Sequence, residues 1–123
     1  MNSLRDSGRP DGRRLTPVQA HQQFTDGQAV LLDVRETDEW NAGHAPGALH
    51  LPLSRLIAEA GLPPATQGRP VVVICRSGNR SRQAAEVLAD QGVEACDVIG
   101  GMKDWAAQGL PVLDADGRPG VVA

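Results

Sequence analysis

Two unbroken apolar runs dominate the chain: Ala29-Val30-Leu31-Leu32, continuing through Asp33 to Val34, and Val71-Val72-Val73-Ile74. Neither alternates with polar positions, so each predicts a strand buried on both faces. Around them the pattern becomes helical. Thr16-Pro17 places a capping residue before a proline at the first helical position and predicts a helix to Asp26, stopped by Gly27. Thr37-Asp38-Glu39-Trp40 suits a short helix with acids in its first turn. Ala45-Pro46-Gly47 reads as a turn and Ala48 to Leu51 as a short strand. Ser54 reads as the cap of a helix through Ala60, ended by Gly61 and Pro63. Ser81 to Gln91 puts Ala84, Val87 and Leu88 on one helical face, with Gly92 as the stop. Cys96 to Ile99 predicts another strand, Gly100-Gly101 a loop, and Met102 to Gln108 a last helix. Strands alternating with helices predict an α/β fold: a doubly wound, mainly parallel sheet with helices on both faces. Sites in such sheets lie at the carboxyl ends of the strands.

A chain of 123 residues is enough for one domain and too short for two separate cores. Residues 1–14 are rich in Arg, Asp, Ser, Gly and Pro and predict a disordered leader. The domain is expected over residues 15–113, and 114–123 as a loosely held tail. With only Phe24, Trp40 and Trp105 as aromatics, the core must come from Val, Leu, Ile and Ala. A net charge of −3 argues against nucleic-acid or membrane-surface binding. The leader lacks an apolar signal segment, and no stretch approaches membrane-spanning length. Cys75 and Cys96 do not make a disulfide framework, and His21, His44 and His50 lack metal-ligand spacing. The expectation is a cytoplasmic protein with reduced thiols and no metal.

The candidate chemistry sits where the second apolar run ends. Cys75 is the first residue beyond that strand, and Arg76, Ser77, Gly78, Asn79, Arg80 and Ser81 follow before a helix. A thiolate is the reactive form of cysteine, and positive surroundings favour it. Loop N–H groups and a helix N-terminus form a concave site for negative charge. Gly78 and Asn79 tolerate the left-handed backbone such a loop needs. Arg80, at the loop's end, offers a fork that fits an oxyanion, and Arg76 is a second candidate. The blander alternatives are a small buried Cys75 and a solvated Arg80 paired with an acid such as Glu86. Asp33 and Arg35 point the same way at the end of the first strand, in a supporting, architectural role. His44 reads as a hydrogen-bonding turn residue, Trp40 and Trp105 as packing residues, and Cys96 as a core thiol.

Four segments resemble the rhodanese (thiosulfate sulfurtransferase) family. Leu31-Leu32-Asp33-Val34-Arg35-Glu36 resembles its first strand end. Trp40-Asn41-Ala42-Gly43-His44-Ala45-Pro46-Gly47-Ala48 resembles its aromatic-x3-His-x-Pro-Gly-Ala signature. Cys75 to Ser81 resembles the active-site loop, and Gly100-Gly101-Met102-Lys103-Asp104-Trp105 the closing Gly-Gly-x-x-x-Trp pattern. Ala45 departs from the family, which usually has a larger aliphatic residue there. The resemblance implies about five strands and no cofactor, with Cys75 carrying sulfur as a persulfide. It also implies loop residues Arg76 to Ser81 around a small anionic sulfur donor. The implied acceptor is a thiol or cyanide, with a protein sulfur acceptor as a further candidate. The rivals are a non-catalytic rhodanese-like binding module and a phosphatase or arsenate reductase on the same fold. The latter resemble this chain but carry a longer loop than the six residues from Cys75 to Arg80.

Overall fold

The computed structural model describes residues 14–58 and 61–123. The leader expected over residues 1–13 and the helix end expected at Ala60 lie outside the described residues. Five strands form one sheet: β1 (Arg14–Leu15), β2 (Val30–Asp33), β3 (Leu49–His50), β4 (Val71–Ile74) and β5 (Ala95–Val98). Their spatial order is β1-β5-β4-β2-β3. Every neighbouring pair is parallel, with Leu31 opposite Val72 and Val72 opposite Cys96 at the centre. The helices are α1 (Pro17–Thr25), α2 (Thr37–Ala42), α3 (Leu53–Ile57), α4 (Asn79–Asp90) and α5 (Gly101–Ala107), with a 3-10 turn at Pro64–Thr66.

Side chains alternate across the sheet, which divides the core in two. Leu32, Val34, Val71, Val73, Cys75 and Ala95 face α3 and α4, packing on Leu53, Leu56, Ala84, Ala85 and Leu88. Leu15, Leu31, Val72, Ile74, Cys96 and Val98 face α1 and α5, packing on Ala20, Met102 and Trp105. Both central strands are buried along their whole length, which is why their sequence does not alternate. Trp105 is fully buried rather than partly so, and its Nε1–H donates to the Pro111 carbonyl at 2.9 Å. The fold is therefore doubly wound, with helices on both faces.

Local signals explain most element ends. The Thr16 hydroxyl accepts from the Gln19 N–H at 3.2 Å, and the Gln19 side chain accepts from the Thr16 N–H at 3.0 Å, a reciprocal cap. Several expectations differ from the structure: β5 and α5 each start one residue earlier than expected. Ser54 lies inside α3, whose cap is Pro52. Helix α4 starts at Asn79, two residues before Ser81, so Arg80 and Ser81 sit in its first turn. Arg14, assigned to the leader, is a strand residue on the sheet edge.

The tail also differs from expectation. Leu113 bridges to His44 and Pro119, the Val121 N–H donates to the Ala42 carbonyl at 3.0 Å, and the Ala115 N–H to the Asn41 carbonyl at 3.0 Å. Its small and polar residues look loose in composition, but its backbone is paired.

The β4–α4 and β5–α5 turns touch. The Met102 N–H donates to the Cys75 carbonyl at 2.7 Å and the Lys103 N–H to the Arg76 carbonyl at 2.9 Å. Gly101 has φ +57, and a Cβ there would fall on the Cys75 carbonyl oxygen and within 2.7 Å of the Arg76 carbonyl. Gly101→Ala is expected to destabilise the fold by about 1–3 kcal/mol, because both obstacles are backbone. Chemical unfolding of the variant measures this; stability equal to the wild type would mean that the two turns are free to separate.

Candidate active site

Cys75 follows β4 at the carboxyl rim of the sheet and is buried at 1% exposure. Its place on the α3–α4 face points the thiol toward the start of α4. The loop turns through Gly78, whose φ of 101 is left-handed. That turn brings the Gly78 N–H to 3.1 Å from the Cys75 Sγ. Sγ also lies 3.4 Å from the Ser81 Oγ, in the first turn of α4. Gly78 and Ser81 are buried, Arg76 and Arg80 are half-buried, and Ser77 and Asn79 are exposed. Of the six loop residues named from sequence, Gly78 and Ser81 contact the thiol, whereas Ser77 and Asn79 face outward.

Arg80 has a different partner from the one considered in the sequence. Its Nη1 and Nη2 donate to the two Glu39 carboxylate oxygens at 2.7 and 2.8 Å, joining α4 to α2. These hydrogen bonds are the main reason the Glu39 carboxyl falls from 4.5 to about 2; burial opposes them, and the Glu36 N–H and the Arg80 and Arg35 charges assist. The same bonds raise Arg80 above its ordinary value, with attraction to Glu39, Cys75 and Asp33 adding to them. Arg76 Nε donates to the Ala123 carbonyl at 2.8 Å, so the tail reaches the loop.

Asp33 and Arg35 form a fully buried pair, with Arg35 Nη2 at 2.8 Å from Asp33 Oδ2 and Nε at 3.0 Å from Oδ1. Arg35 Nη2 also donates to the Gly43 carbonyl at 2.6 Å, fastening the end of α2 to β2. His44 Nδ1 donates to the Trp40 carbonyl at 2.8 Å, and His50 Nε2 to the Arg35 carbonyl at 2.7 Å. Both rings stack on Trp40, with centroids 3.7 and 4.7 Å away. The histidines hold backbone rather than approach Sγ.

Sequence reasoning missed Glu39, Asp97 and Arg14 as site residues. Asp97 lies within β5 and is 2% exposed. It accepts from the Ser81 hydroxyl at 2.8 Å and from Arg14 Nε and Nη2 at 3.0 and 3.1 Å. A signal was available: an acid inside an apolar strand needs partners. Arg14 was hidden among the leader's other arginines. Cys96 sits in the core on the opposite face of the sheet from Cys75.

A cavity of about 920 Å³, lined by Leu62, Thr66, Arg69, Val93 and Glu94 among others, lies at the amino ends of β4 and β5, away from Cys75. It contains none of the site residues. Among the described residues no three His, Cys, Asp or Glu side chains cluster as metal ligands would. No helix there is long and apolar enough to cross a membrane.

A family model, the rhodanese-like domain, matches residues 16–108. The chain belongs to the rhodanese-like domain family. Solved structures with the same fold include a rhodanese-related protein from Thermoplasma volcanium, 29% identical, with a TM-score of 0.70 over 82% of this chain and 97% of that one. A rhodanese homologue from Thermus thermophilus is 29% identical, with a TM-score of 0.61 over 75% and 99%. A protein of unknown function from Rhodopseudomonas palustris, described as a possible tyrosine phosphatase, is 25% identical, with a TM-score of 0.71 over 81% and 83%.

The Glu39–Arg80 pair has a defined pH signature. A depressed carboxyl contributes stability that is complete above its ordinary value of 4.5 and is lost as pH falls toward about 2. Wild type should exceed Glu39→Gln in urea stability near neutral pH, and the gap should close as pH falls through that window. The pair is partly exposed, so a modest gap is expected. A gap that is constant with pH would show that the carboxylate charge is not what holds Arg80.

Proposed function

We propose that this protein is a sulfurtransferase that carries sulfane sulfur as a persulfide on Cys75. The observation that carries the reading is the Cys75 Sγ at the carboxyl rim, receiving the Gly78 N–H at 3.1 Å where a short loop enters α4. A backbone N–H aimed at sulfur favours negative charge there, and α4 adds the partial positive charge of its N-terminus.

In the first half-reaction the Cys75 thiolate attacks the outer sulfur of thiosulfate or a similar donor. The donor's S–S bond breaks, sulfite leaves with the bonding electrons, and a new S–S bond forms on Cys75. In the second, a thiolate or cyanide attacks the outer sulfur and Cys75 leaves as thiolate. The electron count closes without a redox cofactor. Arg80 supplies positive charge beside the thiol, though Glu39 holds its two terminal nitrogens at rest. The loop backbone and Ser81 therefore carry more of the anion binding in this reading than Arg80 does. The reaction needs a reduced thiol, which suits a cytoplasmic setting.

The rivals differ in outcome. A binding module needs no reactive cysteine, and a phosphatase needs a cradle for a whole phosphate group. The loop spans six residues from Cys75 to Arg80, which suits a sulfur atom better.

Intact mass after thiosulfate treatment tests the proposal: one added sulfur atom is expected, located on the Cys75 peptide. Cys75→Ala should abolish both the adduct and sulfur transfer to cyanide while staying folded. Cys96→Ala should retain transfer, because its thiol faces the opposite core. If folded Cys96→Ala were inactive, a single-cysteine mechanism would fail. If wild type took up no sulfur, the binding-module reading would replace this one.

A further inference from the structure

Cys75 Sγ, Ser81 Oγ, Asp97 and Arg14 form a chain of hydrogen bonds running from the loop through the sheet to its edge. Ser81 Oγ is 2.8 Å from Asp97 Oδ2 and 3.4 Å from Cys75 Sγ. Ser81 is fully buried and Asp97 nearly so. A carboxylate can only accept, so the one hydroxyl proton of Ser81 points at Asp97. Ser81 Oγ then offers a lone pair to sulfur, and Cys75 donates its thiol proton to it. We propose that Asp97, held by Arg14, is a positioning residue that sets the direction of the Ser81 hydroxyl and, through it, the protonation state of Cys75.

Ser81 has one proton and two acceptors that compete for it. In the resting arrangement the thiol donates to Ser81, and Ser81 donates to Asp97. When a solvent base removes the thiol proton, the Ser81 hydroxyl turns and donates to the thiolate. Asp97 loses that one bond. Arg14 makes the turn possible, because its Nε stays 3.0 Å from Oδ1 and its Nη2 3.1 Å from Oδ2, so the buried carboxylate keeps a charged partner. Arg14 Nη2 also donates to the Gly78 carbonyl at 3.0 Å, tying the same guanidinium to the loop that holds sulfur. Under the persulfide reading, on which this part rests, the turned hydroxyl also stabilises Cys75 as the leaving thiolate.

The other charges around Cys75 are engaged elsewhere. Arg80 on α4 pairs with Glu39 on α2, Arg35 with Asp33 at the end of β2, and Arg76 bonds the Ala123 carbonyl. His50 on β3 bonds the Arg35 carbonyl, and Lys103 and Asp104 on α5 are exposed. Arg14 and Asp97 are the charged pair that communicates with sulfur through a shared hydroxyl.

The test is the pH profile of iodoacetamide alkylation at Cys75, read by peptide mass so that Cys96 is counted separately. Asp97→Asn removes the negative charge behind Ser81 and leaves the Arg14 cation, so the midpoint should move to lower pH by about half to one unit. Arg14→Gln leaves the carboxylate uncompensated, and the midpoint should rise. In a Ser81→Ala background the Asp97→Asn shift should shrink, and Ser81→Thr should restore it. A merely structural Asp97 would change melting temperature and leave the midpoint in place. If Asp97→Asn does not fold, Arg14→Gln decides alone: a rise supports the proposal and an unmoved midpoint overturns it. Alkylation reads the thiol whatever the enzyme's substrate. Shifted midpoints without sulfur uptake would therefore sink the sulfurtransferase reading and keep this one.

Discussion

Gly101 passes so close to the carbonyls of Cys75 and Arg76 that no side chain fits between them. Two parallel strands, β4 and β5, each end in a turn into a helix, and the two turns are locked by the Met102 and Lys103 N–H groups. Gly78 sits in the same junction: a Cβ there would lie 2.9 Å from Arg14 Nη2 and 3.1 Å from the Gly100 nitrogen. The position of the thiol follows from this contact. Cys75 cannot shift without moving α5, and α5 is anchored by Trp105 in the core. Precision at the Cys75 thiol therefore comes from backbone packed on backbone, which gives less than side chains do.

Around that junction the charges come in pairs, and each pair fastens a different piece of the rim. Asp33–Arg35 ties β2 to the end of α2 through Gly43. Glu39–Arg80 ties α2 to α4. Arg14–Asp97 ties β1 to β5 and reaches the loop at Gly78. Their energies differ by burial. Breaking the enclosed Asp33–Arg35 pair by removing one partner costs about 3–5 kcal/mol, whereas a pair as exposed as Glu39–Arg80 is worth about 1 kcal/mol or less. The first is architecture. The second can open without threatening the fold, which suits a group at the mouth of a site.

The central strands were legible because burial on both faces leaves no polar positions to interrupt Val30–Asp33 or Val71–Ile74. Cys75 was legible because it interrupts such a run just where a helix begins. The edge strand at Arg14 was not, since two residues carry no periodicity and their neighbours are polar. The tail was misjudged for a related reason. Backbone pairing holds Leu113 and Val121, and composition does not register backbone pairing. Partner choice was the least readable. Glu39 lies forty-one positions from Arg80, and only the fold brings their helices together. The Gly-Gly pair at 100–101 was visible as a motif, but its reason is the pair of carbonyls it must pass, which lie in the turn after β4.

The family match spans residues 16–108, whereas the folded unit runs past it at both ends. Before it lie Arg14 and Leu15, an edge strand carrying the cation that faces Asp97. After it lie Pro111, the acceptor for the Trp105 indole, and Val121, whose backbone closes over Gly43. Excising the domain at the family's borders would leave β5 as a bare sheet edge, open to pairing with another chain. It would also leave the buried Asp97 without the Arg14 cation that pairs with it. Dissection of this protein, and grafting of its site onto another scaffold, should carry residues 14–123 as one piece.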